Sequence, residues 1–126
     1  MLGWLRLFAR SRVERTLLLD PDEFEAMLKR ERSRADRAGS VFSVLTLSVS
    51  PTQLQPADLQ SIAETFRKRR RATDLTGRTP DGRIGIVLPD TTREQAEVLA
   101  ASLSETLSDK GISFSHSISL YPETTR

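Results

Sequence analysis

Few residues in this chain are equipped for chemistry. His116 is the one histidine in 126 residues, and there is no cysteine. A lone imidazole makes no proton-relay set by itself, and without thiols neither a disulfide frame nor a thiolate metal site can form. His116 falls on the apolar side of an alternating stretch with Ile112, Phe114, Ile118 and Leu120. A satisfied or edge-facing core histidine is the simplest reading there. The acids mostly interleave with arginines at helical spacing, which reads as solvated ion pairs. What stands out is a run of five basic residues, RKRRR, at 67–71. Such a run can neutralise phosphates. No aromatic interleaves with it, however, and the strand-like segments lack the aromatics on which RNA bases stack. Nucleic acid is therefore a disfavoured partner.

The elements that must carry these residues are legible from pattern. Asp20, Pro21 and Glu23 open a helix with a capping box. Phe24, Met27, Leu28 and Ala35 share one of its faces, Arg30, Glu31, Arg32, Arg34, Asp36 and Arg37 take the solvated remainder, and Gly39 ends it. Residues 41–49, VFSVLTLSV, are apolar on both faces, which predicts a central strand covered on both sides. Leu59, Ile62, Ala63 and Phe66 repeat at helical spacing within residues 57–70. Two strands, 74–79 and 83–88, flank Pro80-Asp81-Gly82, a strong hairpin signal. Thr91 with Glu94 opens a third helix with a buried stripe of Ala96, Leu99, Ala100, Leu103 and Leu107, and Gly111 closes it. Residues 112–120 form a last strand whose serines, Ser113 to Ser119 by twos, line its other face. The order, a leading helix and then βαββαβ, predicts an α+β ferredoxin-like antiparallel sheet with helices packed on it.

Residues 1–19 form a basic, aromatic extension ahead of a domain over 20–126. Trp4, Leu5, Leu7 and Phe8 stand beside Arg6, Arg10, Arg12 and Arg15. The apolar core is too short for a signal peptide. Two readings stand: an interfacial anchor on an anionic membrane surface, or a helix packed on its own domain, a sister chain or a partner. With no cysteine and no apolar run of about 20 residues, the sequence fits a cytoplasmic protein, peripheral at the inner membrane face if the anchor reading holds.

From about residue 22 to 122 the chain resembles the GGDEF domain of diguanylate cyclases, which has the nucleotidyl-cyclase palm fold. The helix DEFEAMLKRERSRADRAGS leading into FSVLTLSV, the segment SIAETFRKRRRATD, the hairpin with GIVLPDTTREQAEVLAASL, and FSHSISLYPE carry the likeness through their order and spacing. Set against the family pattern, the signature Gly-Gly-Asp-Glu-Phe falls on Pro80, Asp81, Gly82, Arg83 and Ile84. The family's acid there helps hold divalent metal, which wants hard oxygen ligands; Arg83 would repel a cation. Asp81 is one position early. The family's metal-binding Asp on the first strand has as counterparts Thr46, Ser48 and Ser50, none acidic. The loop that would grip guanine is shortened to SPTQLQPADLQ, about two helical turns less.

The resemblance thus implies a degenerate domain without cyclase activity, metal or cofactor. One family feature is kept. Arg71-Ala72-Thr73-Asp74 matches the Arg-x-x-Asp of the family's inhibitory site, which binds cyclic di-GMP. Arginine offers a planar fork to phosphate or a guanine edge, and Asp accepts from guanine N–H groups. Arg70 and Arg69 would raise the local potential. The implied roles are a cyclic di-GMP receptor or, alternatively, a nucleotide-independent dimerisation or docking module. Similar domains occur beside sugar transferases of bacterial exopolysaccharide assembly, which makes such a transferase a candidate partner.

Overall fold

A computed structural model of the chain describes residues 18–50, 55–69 and 74–122. Trp4, Leu5, Arg6, Phe8 and Arg10, proposed to contact membrane or partner, lie outside them, as do Arg70 and Arg71. Helix α1 (Pro21–Ala38) starts as its capping box dictates. Glu23 N–H donates to Asp20 Oδ1 at 2.8 Å, and Asp20 N–H donates to Glu23 Oε1 at 3.2 Å. Gly39 ends it in the left-handed region at φ 65°. Then follow β1 (Phe42–Val49), α2 (Pro56–Arg69), β2 (Leu75–Arg78), β3 (Ile84–Pro89), α3 (Arg93–Asp109) and β4 (Phe114–Tyr121).

The four strands form one antiparallel sheet in the order β2-β3-β1-β4, the ferredoxin-like arrangement. Because strand side chains alternate between faces, β1 divides its apolar residues between two cores. Leu45 and Leu47, with Ile84, Ile86 and Leu88 of β3, pack under Ile62 and Phe66 of α2 and Ala96, Ala100, Leu103 and Leu107 of α3. Phe42 and Val44 face the other way and meet Phe24, Leu28 and Ala35 of α1, together with Val87. The leading helix thus closes the face that the βαββαβ helices leave open. Leu19, just before α1, bridges Gly77 in parallel: Leu19 N–H donates to Thr76 O and Arg78 N–H to Leu19 O, both at 2.9 Å.

Two sequence expectations need correction. The cap of α3 is Thr92, not Thr91, and Gln95 rather than Glu94 closes the box. Thr91 is instead buried, its hydroxyl donating to Pro89 O while its carbonyl accepts from the buried Ser43 hydroxyl at 2.8 Å. Glu31 is not on a solvated face. It is 8% exposed and takes both Nε and Nη2 of Arg34. The serine row lines a solvated face: Ser115, Ser117 and Ser119 are exposed.

Candidate functional site

The antiparallel pairing of β1 with β3 brings the C-terminal end of β1 beside the β2–β3 hairpin, since Leu47 lies opposite Ile84. The hairpin loop is a tight turn followed by a residue in the left-handed region, Gly82 at φ 85°, where a side chain would be strained. Thr79 N–H donates to Arg83 O at 2.8 Å, and Gly82 N–H to Thr79 O at 3.0 Å. The side chains then saturate one another. The Thr79 hydroxyl bonds Asp81 Oδ1 and accepts from Arg83 N–H at 2.9 Å. Arg83 Nε reaches Asp81 Oδ2 at 2.9 Å. The Thr79 hydrogen bond first, and Arg83 second, hold the Asp81 carboxyl below the usual carboxylate range.

A divalent ion needs several hard oxygen ligands with net negative charge. Among the described residues, the polar side chains at this sheet end are Ser48 and Ser50 on the β1 side and, on the hairpin side, an Asp81 carboxylate paired with Arg83. Their chemistry does not fit a magnesium-type site. Among the described residues no group of three His, Asp or Glu side chains is placed to hold a metal ion.

Asp74 stands at the opposite end of β2, immediately before Leu75, and is 3% exposed. Leu75 lines a surface groove of about 510 Å³ with Met27, Lys29, Arg30, Arg34 and Arg37 of α1; Glu31 and Ser33 complete the wall. The floor is apolar and the rim cationic. Glu31 fixes the plane of the Arg34 guanidinium and raises its pKa further. Asp90 is the second acid near it, at 3.9 Å. The sequence reading placed Arg30, Arg34 and Arg37 on the solvated side of α1 and missed that they converge beside β2. Their spacing of four and then three residues, which puts them on one helix face, was the available signal.

His116 lies on the edge strand, not in the core. Its side chain is 36% exposed and its Nε2 is 2.9 Å from Glu97 Oε1. Among the described residues no helix is long and apolar enough to cross a membrane.

No protein-family model matches the sequence, and no curated protein matches it. Solved structures do resemble the fold. A diguanylate cyclase from Thermotoga maritima superimposes with a TM-score of 0.72 at 20% identity, over 84% of this chain and 83% of that one. The active GGEEF domain of a diguanylate cyclase from Vibrio cholerae gives 0.70 at 17% identity, over 87% and 80%. The coiled coil and GGDEF domain of DgcB from Caulobacter crescentus, in complex with c-di-GMP, gives 0.62 at 13% identity, over 94% and 76%. At such identities the likeness establishes the fold: this chain folds as the palm of a GGDEF domain.

Proposed function

We propose that the chain is a non-catalytic GGDEF-like regulatory module that binds cyclic di-GMP through Arg71 and Asp74, flanked by Arg70. One observation carries this reading: Leu75, the residue after Asp74, lines a groove with an apolar floor and a rim of Lys29, Arg30, Arg34 and Arg37. A dinucleotide with two phosphates and two purines asks for that combination. Arginines pair with phosphate and with guanine edges, and apolar side chains take the purine faces. Arg34, oriented by Glu31, and Arg30 are then the further cations that an Arg-x-x-Asp pair needs from a neighbouring element.

Loss of catalysis is supported by the other end of the sheet. Phosphoryl transfer from a nucleoside triphosphate requires bound metal to neutralise developing charge. Here the hairpin offers Arg83 where the family has an acid, and its one carboxylate is consumed within the turn. Incubation with GTP and magnesium will yield no cyclic dinucleotide; turnover would overturn this part. Cyclic di-GMP will raise the thermal midpoint of the chain, and an unchanged midpoint at high ligand concentration would overturn the receptor.

A further inference from the structure

The backbone of β4 is arranged to pair with a second strand. Asp90 N–H donates to Val41 O at 2.9 Å, which sets the alternation of β1: its odd-numbered residues bond toward β3 and its even-numbered ones toward β4. Opposite those even positions lie Ser115, Ser117, Ser119 and Tyr121, whose backbone groups therefore face β1. The N–H and C=O groups of Phe114, His116, Ile118 and Leu120 face outward. Among the described residues no strand occupies that side. The other edge differs, because Leu19 already bonds Thr76 and Arg78 of β2. A side chain does touch the β4 edge: Arg93 Nη1 donates to the outward carbonyl of Ile118 at 3.0 Å.

We infer that two copies of this chain pair through β4, antiparallel, about a two-fold axis through Ser117. The occupant is a second copy because the edge is self-complementary in residue type and in charge. On one face His116 meets the partner's Ile118 and Phe114 meets the partner's Leu120. On the other, Ser115 meets the partner's Ser119 and Ser117 meets itself, a row of hydroxyls that can bond across the seam. Glu97 is fixed at His116, at 2.9 Å, and Arg93 is fixed at Ile118. Setting His116 opposite the partner's Ile118 therefore brings each Glu97 toward the partner's Arg93. In the pair the Ile118 carbonyl accepts from the partner's His116 N–H, and the displaced Arg93 turns to the partner's Glu97. In the single chain the same Arg93 blunts an edge that would otherwise invite indiscriminate strand addition. This inference is independent of nucleotide binding.

Sedimentation velocity of the full chain, over a concentration series, tests it. The chain is expected to sediment at twice its 14.1 kDa mass. Arg93→Glu and Glu97→Arg each place like charges across the seam and will weaken association about tenfold. The double reversal restores the attraction and the dimer. Both residues are exposed, so the fold is retained in each variant. His116→Pro removes an outward N–H without touching the β1 ladder and will give a folded monomer by circular dichroism. A monomer at every concentration, or a dimer indifferent to either single reversal, overturns the inference; so does a double variant that stays monomeric.

Discussion

The ring of Phe24 lies directly over Gly85: a Cβ built on that glycine would stand 2.6 Å from Cζ of the phenylalanine. Gly85 pairs in register with Gly77, where a Cβ would come within 2.7 Å of the same ring. Two adjacent strands thus give up their side chains to make a socket, and the socket seats the leading helix on the sheet. Phe24 is 1% exposed in consequence.

Substituting Gly85→Ala will destabilise the domain by about 1–3 kcal/mol, since an aromatic ring clamped by α1 has little room to yield. Phe24→Ala, leaving a cavity, will cost about 3–5 kcal/mol. Combined with Phe24→Leu, the Gly85→Ala change will cost less than the two singles added, because the smaller side chain vacates the space the new methyl needs. Urea denaturation of the set measures this, and strict additivity would show that the close approach carries no strain.

The helix starts give a second prediction. Asp20→Ala and Thr92→Ala each remove a hydroxyl or carboxyl that accepts from the third backbone N–H, and each will cost about 1 kcal/mol. Glu94→Ala will be close to neutral, because Gln95 and not Glu94 closes the box of α3. Thermal denaturation separates them; a Glu94 effect as large as that of Gln95→Ala would return the cap to Thr91.

Local chemistry explains what the sequence revealed and what it hid. Asp20-Pro21-Asp22-Glu23 specifies its helix start within one turn, so it reads off directly. Thr91 and Thr92 each have a Glu or Gln three residues on, so the pattern alone is degenerate. The choice is made by Ser43, far off in sequence, whose hydroxyl draws the Thr91 carbonyl into the sheet. Glu31 looked like one more surface acid among arginines; its burial depends on where β2 passes under α1. The Gly77–Gly85 socket has no local signal at all, since its occupant comes from another element. The hairpin was the reverse case: Pro80-Asp81-Gly82 announces its turn, and the structure adds that Asp81 is spent on Thr79 and Arg83.

That hairpin can be checked by titration. The Asp81 carboxyl, held by the Thr79 hydroxyl and then by Arg83, will titrate below an ordinary aspartate when followed by NMR. A depressed folded pKa means stability that is complete above the unfolded value and is lost as pH falls through the folded one. Thr79→Ala will move the pKa back toward the ordinary range more than Arg83→Ala does. An Asp81 that titrates normally in the unaltered chain would free its carboxylate and reopen the metal question.

If Arg30, Arg34 and Arg37 serve the ligand, affinity for cyclic di-GMP will fall as salt is raised, because exposed charges are screened over about 8–10 Å at physiological ionic strength. Arg34→Ala will weaken binding about tenfold or more, the scale of a lost charge-assisted hydrogen bond. Arg93→Ala, at the β4 edge and so at the opposite end of the sheet from β2 and the groove, will leave affinity unchanged. Equal effects of the two would remove the groove from the site.

Calorimetric titration of cyclic di-GMP into the full chain, beside Arg71→Ala and Asp74→Ala, tests the central claim most directly. Saturable heat in the unaltered chain that disappears in both variants, with their thermal unfolding still cooperative, is the predicted result. No heat from the unaltered chain, or equal heat from all three, would contradict a receptor built on Arg71 and Asp74.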